Sequence, residues 1–340
     1  MRIERLYLRN FRNYDECLLE FAPGINLIYG QNAQGKTNIL EALYLLMSGR
    51  SFRTTHMQEL IQFGKKSFYV EILFEKKGAK HQLQMHYDGK EKKLLLDKEP
   101  LKTLSSLLGM IHGVLITPED DALIKGSPRV RRNFLDLHIA KINPLYLDHL
   151  VRYTKAMRQR NALLKEHNAK MLFAFEQIMI DSATYISEIR KLALMELESR
   201  IDHEPEKISL TYKPSIFSTK NREREMIFGS TLSGPHREDF NTMIEQREAR
   251  SFGSEGQKRS VVSALKLAQF KVIEKSTQET PLLCIDDVGI SFDKTREAKL
   301  LEKVSTFEQV FLTSCQPEQL QGHLLHVDDG RVEMPHLLTP

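Results

Sequence analysis

Several features that mark specialised proteins are missing from this sequence. It has no tryptophan, only three cysteines without a C-x-x-C pair, and twelve histidines without H-x-x-x-H spacing. These absences argue against a disulfide framework or a zinc site, and they predict that Cys17, Cys284 and Cys315 are buried free thiols in a reducing cytoplasm. No window approaches the ~18 uncharged apolar residues of a membrane span, and the N-terminus has no signal-peptide core, so no membrane partner is expected.

What is present describes an ordinary globular protein. Of its 340 residues, 41% are hydrophobic and 28% are charged. That length allows about two domains of roughly 150 residues each. The net charge of +4 is mildly basic, which is compatible with an anionic partner without predicting one.

The most informative stretch is a glycine-containing loop at residues 30–37, G-Q-N-A-Q-G-K-T. It follows the apolar run 25–29 and opens into a helical pattern, which is the strand–loop–helix context of a P-loop. Its glycines let backbone N–H groups point inward, and the helix N-terminus adds positive field. We therefore expect ATP to bind here. The predicted contact residues are Gly30, Gln31, Asn32, Ala33, Gln34, Gly35, Lys36, Thr37 and Asn38.

An acidic segment completes the expected ATP site. Residues 282–287 read L-L-C-I-D-D, an apolar strand that ends in two carboxylates. Asp286 is predicted to hold magnesium opposite the Thr37 hydroxyl, and Asp287 to orient or deprotonate the attacking water. Lys36 reaches the β- and γ-phosphates. Lys36, Asp286 and Asp287 form the predicted catalytic set.

A second helix start carries the pattern S-E-G-Q at residues 254–257. It resembles the signature motif of ABC-type ATPases, which closes on the γ-phosphate held by another subunit. The resemblance implies that Ser254, Gly256 and Gln257 contact ATP on a second copy, and hence an ATP-dependent homodimer. The alternative is a plain serine-capped helix after a glycine turn.

Apolar periodicity divides the chain into α/β and helical parts. Alternating strands between residues 2 and 96 predict an antiparallel β meander, with the first strand at an edge. Residues 118–201 have a helical pattern that reverses at 166–170. A helix at 295–305, a strand at 309–313 and a hairpin around 328–330 follow. We predict a P-loop ATPase lobe at 1–110 and 206–340, and an inserted, mostly α-helical lobe at 111–205.

Further stretches resemble the RecF family of bacterial recombination-repair proteins. They are L-R-N-F-R-N-Y at 8–14, P-E-D at 118–120, K-G-S-P at 125–128, R-R-N-F-L-D at 131–136, R-Q-R-N-A-L-L-K at 158–165 and T-L-S-G-P-H-R-E-D at 231–239. They cover the chain in the family's order. The resemblance implies an α/β, ABC/SMC-head-like ATPase that dimerises with ATP. It also implies sequence-independent binding of duplex DNA and single-strand/double-strand junctions, and action with a RecR-type mediator in loading a RecA-type recombinase.

Four departures from the expected motifs concern hydrolysis. Residues 290–293 read I-S-F-D where the family tends to read S-E-L-D, and Glu255 stands where glutamine is expected. Asp287 is shorter than the glutamate usual in ABC ATPases, and Cys315 follows a strand where many of them have a switch histidine. Together they favour slow hydrolysis used as a timer over fast turnover. With the resemblance to the RecF family, we expect a weak, DNA-stimulated ATPase.

Basic residues after the P-loop helix and in the helical part are candidates for DNA phosphate contacts. For any one of them, a solvated helix face is the alternative. The candidates are Arg50, Arg53, Lys125, Arg129, Arg131, Arg132, Arg158 and Arg160. His236 and Arg237 form either a catalytic or allosteric pair or a buried hydrogen-bonding element.

The favoured interpretation is an ATP-switched DNA clamp of recombinational repair and replication restart. Two other classes share part of the pattern. An ABC transport subunit has the same three motifs, and a non-hydrolysing scaffold uses ATP only to order its fold.

Overall fold

The structure, a computed structural model, describes residues 1–168, 171–202, 206–288, 302, 304–315 and 322–333. The strands are β1 (Arg2–Phe11), β2 (Tyr14–Glu20), β3 (Gly24–Tyr29), β4 (Phe68–Lys76), β5 (Ala79–Tyr87), β6 (Lys92–Leu96), β7 (Glu99–Pro100), β8 (Gly113–Ile116), β9 (Ile208–Lys213), β10 (Asp239–Ile244), β11 (Arg247–Glu248), β12 (Leu282–Ile285), β13 (Gln309–Ser314), β14 (His323–Asp328) and β15 (Arg331–Glu333). The α-helices are α1 (Lys36–Ser48), α2 (Leu104–Leu108), α3 (Ala122–Lys125), α4 (Pro128–Ile142), α5 (Pro144–Lys165), α6 (Leu172–Ser199), α7 (Arg222–Phe228), α8 (Ala249–Phe252) and α9 (Glu255–Thr277).

The chain forms two compact units whose bounds differ from the predicted lobes. The first comprises residues 1–119 and 273–340, and the second residues 120–272. Residues 206–272, which we assigned to the ATPase lobe, lie in the second unit because they share its core. Val261 and Leu265 of α9 belong to the same hydrophobic cluster as Met179 and Ile186 of α6.

The first unit contains two six-stranded sheets. The antiparallel meander has the order β2-β1-β4-β5-β6-β7. It confirms the alternating pattern but places β1 in the interior, because β1 pairs with both β2 and β4. The second sheet has the order β15-β14-β3-β13-β12-β8, with β14, β3, β13, β12 and β8 parallel and β15 antiparallel.

Helix α1 forms the centre of this unit. It is apolar on nearly every side, with Ile39, Leu43 and Leu46 fully buried. These residues belong to one cluster with apolar residues of both sheets, such as Ile72 and Phe311. A helix buried all round is held in place by its packing, so the loop that precedes it has a rigid base.

The second unit confirms the predicted helical part. Helices α5 and α6 pack side by side in opposite directions, as the pairing of Arg160 with Glu176 and of Tyr146 with Arg190 requires. The three-stranded antiparallel sheet β11-β10-β9 packs on α4 and α6. Among the described helices, none combines the length and the apolar character needed to cross a bilayer.

The hairpin predicted around residues 328–330 is confirmed as β14–β15. The I-S-F-D segment at 290–293 and most of the predicted helix 295–305 lie outside the described residues.

Candidate functional site

Two glycines of the P-loop occupy positions that a larger residue cannot. Gly30 directly follows β3, and a Cβ there would lie 2.2 Å from the carbonyl oxygen of Val327. Gly35 has a φ of 118°, and its Cβ would lie 2.6 Å from Asn13 Nδ2 and 2.9 Å from the Tyr14 hydroxyl. Close packing around the loop therefore requires glycine at both positions, independently of phosphate binding.

Residues outside the motif hold the loop in shape. The Gln34 carbonyl oxygen accepts hydrogen bonds from Asn13 Nδ2 at 2.8 Å and from the Gly330 N–H at 3.2 Å. The Gln34 side chain accepts a bond from the Asp329 N–H at 2.5 Å. Gln34, predicted to contact ATP, is thus tied to the β14–β15 hairpin. Tyr14 donates to the Gly35 carbonyl oxygen at 3.1 Å.

The Lys36 side chain is folded back into its own loop. It is 4% exposed, and its ammonium group donates to the carbonyl oxygens of Gly30 and Gln31, both at 2.7 Å.

The exposed middle of the loop contacts a cysteine. Asn32 accepts a bond from the Cys315 thiol at 2.9 Å. Cys315 is exposed, so the prediction of buried thiols is correct for Cys17 and Cys284 only, because Cys315 lies past the end of its strand. Ala33, also exposed, has a φ of 67°.

Behind the loop, two candidate residues belong to a polar cluster around Glu41. Asn38 donates to Asn13 and accepts from Arg53 Nη1 at 2.8 Å. The fully buried Glu41 carboxylate accepts two bonds from Arg12, at 2.7 and 2.8 Å, and lies 3.7 Å from Arg53. The sequence interpretation did not identify this cluster. The one feature of the sequence that pointed to it was Arg12, within the L-R-N-F-R-N-Y stretch.

Thr37 and Asp286, 249 positions apart in the chain, meet at the carboxyl ends of the parallel strands. The Thr37 hydroxyl donates to Asp286 Oδ1 at 3.0 Å. Thr313, at the end of β13, donates to the same oxygen at 2.6 Å and accepts the Asp287 N–H at 2.8 Å. Since β13 lies between β3 and β12, its last residues reach both acidic positions. Thr313 was missed by sequence reasoning, although a polar residue ending a buried apolar strand was visible.

The electrostatics of Asp286 fit a cation site. Burial raises the pKa of Asp286, and the neighbouring Asp287 carboxylate acts in the same direction, against the bonds from Thr313 and Thr37. A divalent cation reverses this penalty by favouring the ionised carboxylate. A hydroxyl and a carboxylate 3.0 Å apart are hard oxygen donors of the kind that bind magnesium together with phosphate oxygens. The two predicted metal ligands therefore suit that ion.

Asp286→Asn is expected to raise the melting temperature of the nucleotide-free protein and to abolish its stabilisation by magnesium with ATP. Asparagine keeps an acceptor for both threonines but removes the buried charge. Because the folded-state pKa is raised, folding disfavours the carboxylate at neutral pH, and this penalty disappears as the pH falls through that pKa. The advantage of the variant should therefore shrink between pH 7.5 and pH 4 in thermal melts. A variant less stable than the wild type at neutral pH would contradict this account.

The signature segment lies in the second unit, where it caps its own helix. The Ser254 hydroxyl accepts the Gln257 N–H at 3.2 Å, and the Gln257 side chain accepts the Ser254 N–H at 2.9 Å. This reciprocal pair is a capping box. Ser254 and Glu255 are exposed and Gly256 is partly exposed, so the helix start presents a polar surface to solvent. Glu255 forms ion pairs with Lys125 at 2.5 Å and Lys258 at 3.3 Å.

Burial excludes Arg160 from the DNA-contact candidates. The Arg160 side chain is 0% exposed and bonds Glu176 at 3.0 Å, Glu225 at 2.6 Å and Thr231 at 2.9 Å. It is the centre of a buried charge network, because α5 turns this residue towards α6 and α7.

Arg131 is excluded for the same reason. It is 5% exposed and forms a bidentate ion pair with the Asp239 carboxylate, at 2.7 and 2.9 Å. Arg132 is half-buried, donates to the Glu238 carbonyl oxygen at 2.7 Å, and has its pKa lowered by burial. Lys125 is exposed but is shared between carboxylates. The remaining candidates are exposed: Arg50, Arg53, Arg129 and Arg158.

The His236 side chain has a structural role in the second unit. Its Nε2 faces the Thr231 carbonyl oxygen at 3.0 Å, and that oxygen can only accept. Nε2 therefore carries the proton, and Nδ1 accepts from the Tyr153 hydroxyl at 2.7 Å. Burial lowers the pKa of His236, which keeps it neutral. Of the two alternatives, this favours the hydrogen-bonding element, while Arg237 is exposed.

Known proteins resemble the chain along nearly its whole length. Residues 2–327 match the RecF/RecN/SMC N-terminal domain family. The DNA replication and repair protein RecF of Protochlamydia amoebophila is 42% identical, with 96% of this chain and 97% of that protein aligned. RecF of Chlamydia caviae is 38% identical, with 92% of each aligned.

Solved structures show the same similarity. The recombination mediator protein RecF–ATP of the RecFOR pathway superposes with a TM-score of 0.91 at 32% identity, covering 97% of this chain and 96% of that one. An Smc head domain from Pyrococcus furiosus, 18% identical and covering 97% of this chain and 95% of that one, has a TM-score of 0.57 and shares the fold. These matches confirm the predicted ABC/SMC-head-like α/β fold. By sequence and by structure, the chain belongs to the RecF family of DNA replication and repair proteins.

Proposed function

We propose that this protein is an ATP-driven clamp that two copies form on DNA during recombinational repair. The observation that carries the proposal is the meeting of Thr37 and Asp286 at 3.0 Å beside the P-loop. That pair is arranged to hold magnesium on the phosphates of ATP, the nucleotide named for a solved RecF relative. Magnesium supplies charge neutralisation of the phosphates when bound.

Two side chains of the ATP site have distinct roles in this proposal. Lys36 exchanges its bonds to the Gly30 and Gln31 carbonyl oxygens for bonds to phosphate oxygens. Asp287 orients the attacking water, and its backbone, with a φ of 52°, is held by the bond from its N–H to Thr313. Positioning and charge stabilisation of this kind account for most phosphoryl-transfer catalysis.

The signature segment supplies the other half of the site from a second copy. Ser254 is exposed at the start of a 23-residue helix, where N–H groups and the helix dipole favour an anion. In the closed dimer, Ser254, Gly256 and Gln257 contact the γ-phosphate of the partner's ATP. Slow hydrolysis then releases the two copies and resets the clamp.

The proposed DNA contacts are sequence-independent. The exposed residues Arg50, Arg53, Arg129 and Arg158 provide cations for backbone phosphates. We further propose that the clamp acts in the cytoplasm on gapped or duplex DNA, and that it works with a RecR-type mediator in loading a RecA-type recombinase. The test is to measure particle size with and without ATP, and then with gapped, duplex and single-stranded DNA at two salt concentrations. A monomer under all conditions would rule out the clamp.

Asp287→Asn is expected to slow ATP hydrolysis about 10²–10⁴-fold while the ATP-bound dimer persists on DNA. Loss of the water-orienting carboxylate blocks release without weakening phosphate binding. Single-turnover hydrolysis and size-exclusion chromatography measure the two effects. Asp15→Asn is the matched control, because Asp15 is exposed in the same unit. If Asp287→Asn dimerises and dissociates as the wild type does, ATP serves only as a scaffold ligand.

A further inference from the structure

The second unit contains a pocket that none of the predicted ATP-site residues line. Its volume is about 130 Å³, which holds several water molecules or one phosphoryl group. Its walls come from the start of α4, from β9 and β10, and from α8. The residues that matter to its chemistry are Pro128, Lys213, Thr242 and Arg250.

The first sign of a ligand is the Thr242 hydroxyl. Thr242 is 5% exposed, lines the pocket, and lies on β10 between the buried residues Phe240 and Ile244. Its Oγ1 has no hydrogen-bond partner among the described residues. An unsatisfied buried hydroxyl destabilises the folded protein. A ligand oxygen in the pocket removes that destabilisation.

The charge of the lining favours an anion. Asp239 is neutralised by its two bonds to Arg131, and Glu248 accepts a bond from Asn241 Nδ2 at 2.7 Å. Glu248 keeps its negative charge, because an amide donor does not cancel it. With Arg131, Lys213 and Arg250 positive and Asp239 and Glu248 negative, the lining carries one net positive charge. Lys213 and Arg250 are exposed, so their side chains are free to turn towards a ligand at the mouth of the pocket.

The start of α4 adds to this field. The helix is 15 residues long, begins at Pro128, and its N-cap residue Ser127 makes no side-chain cap hydrogen bond. Its positive end therefore remains unneutralised by a capping oxygen where Pro128 lines the pocket. Helix N-termini of this length stabilise anions.

We propose that this pocket is a phosphoryl-binding site, with the Thr242 hydroxyl as donor and Lys213 and Arg250 as counter-charges. The group comes either from the backbone or an end of DNA, or from free phosphate. The first alternative, a phosphate group of DNA, rests on the proposed DNA binding. The second, free phosphate, is independent of it.

The test compares the wild type with Thr242→Val and with the double variant Lys213→Gln/Arg250→Gln. Arg247→Gln is the matched control, since Arg247 is an exposed cation on β11 that does not line the pocket. Thr242→Ser keeps the hydroxyl and should behave as the wild type, which separates loss of the donor from damage to the fold. Thermal melts with inorganic phosphate and duplex-DNA titrations at several salt concentrations are the measurements.

If DNA is the source, Thr242→Val weakens DNA binding about 5–10-fold and the double variant lowers the salt slope by about 1. If free phosphate is the source, phosphate raises the melting temperature of the wild type but not of the variants, and DNA binding is unchanged. Either result supports the site. No effect in both assays, or an equal effect of Arg247→Gln, overturns it. ATP-dependent dimerisation is measured in parallel, so failure of the clamp is distinguishable from failure of the pocket.

Discussion

Lys36→Met is expected to bind ATP about 10²–10³-fold more weakly than the wild type and to remain monomeric when ATP is added. The ammonium group is the only side-chain cation that the P-loop itself carries, so the charge-assisted bonds that we propose it makes to phosphate oxygens would have no substitute there. In this structure it already lies in the loop, held by the Gly30 and Gln31 carbonyl oxygens. Methionine has a similar length and leaves the loop filled. Nucleotide titration and particle sizing measure the two losses.

Lys66→Met is the matched control for this variant. Lys66 is exposed in the same unit and outside the P-loop, so its replacement should leave ATP binding and dimerisation unchanged. If Lys36→Met still formed dimers or bound DNA in an ATP-dependent way, the proposed clamp would be wrong. The melting temperature of the nucleotide-free variant checks that the loss arises in the site and not in the fold.

Arg160→Ala is expected to destabilise the second unit by about 3–5 kcal/mol, because it leaves the buried Glu225 carboxylate without a counter-charge and Glu176 with one fewer. Glu176 and Glu225 are 1% and 0% exposed. Arg222 remains bound to Glu176 at 2.5 Å, whereas among the described residues the Glu225 carboxylate keeps only the Leu232 N–H, at 2.8 Å. Urea unfolding followed by tyrosine fluorescence measures the change, because Tyr153 lies in the core of the second unit.

Arg158→Ala on the same helix provides the control. Arg158 is exposed, so its loss should change stability by less than about 0.5 kcal/mol. The two variants also separate structure from DNA contact: Arg158→Ala is expected to weaken DNA binding and reduce its salt dependence, with the fold intact. An Arg160→Ala protein as stable as the wild type but defective in DNA binding would restore Arg160 as a DNA contact.

The different burial of Arg158 and Arg160 could not be predicted from the sequence. Both lie in the R-Q-R-N-A-L-L-K stretch, and the apolar pattern of the helix does not distinguish them. The burial of Arg160 depends on Glu176 and Glu225, which are 16 and 65 positions away. The same limit applies to the domain bounds. Residues 206–272 read as part of the α/β lobe, but their apolar residues pack on α6, and no local pattern states which core a strand joins.

The sequence by itself determined the family, the strand–loop–helix start and the acidic strand end of the ATP site. These features appear in the sequence as short local patterns: glycines and a lysine between a strand and a helix, and carboxylates directly after a buried apolar run. Only the tertiary structure decided that Thr313 bridges Asp286 and Asp287, that Gln34 is tied to a hairpin, and that Thr242 faces a pocket. Each depends on which strands become neighbours, and strand order arises from packing of the whole unit.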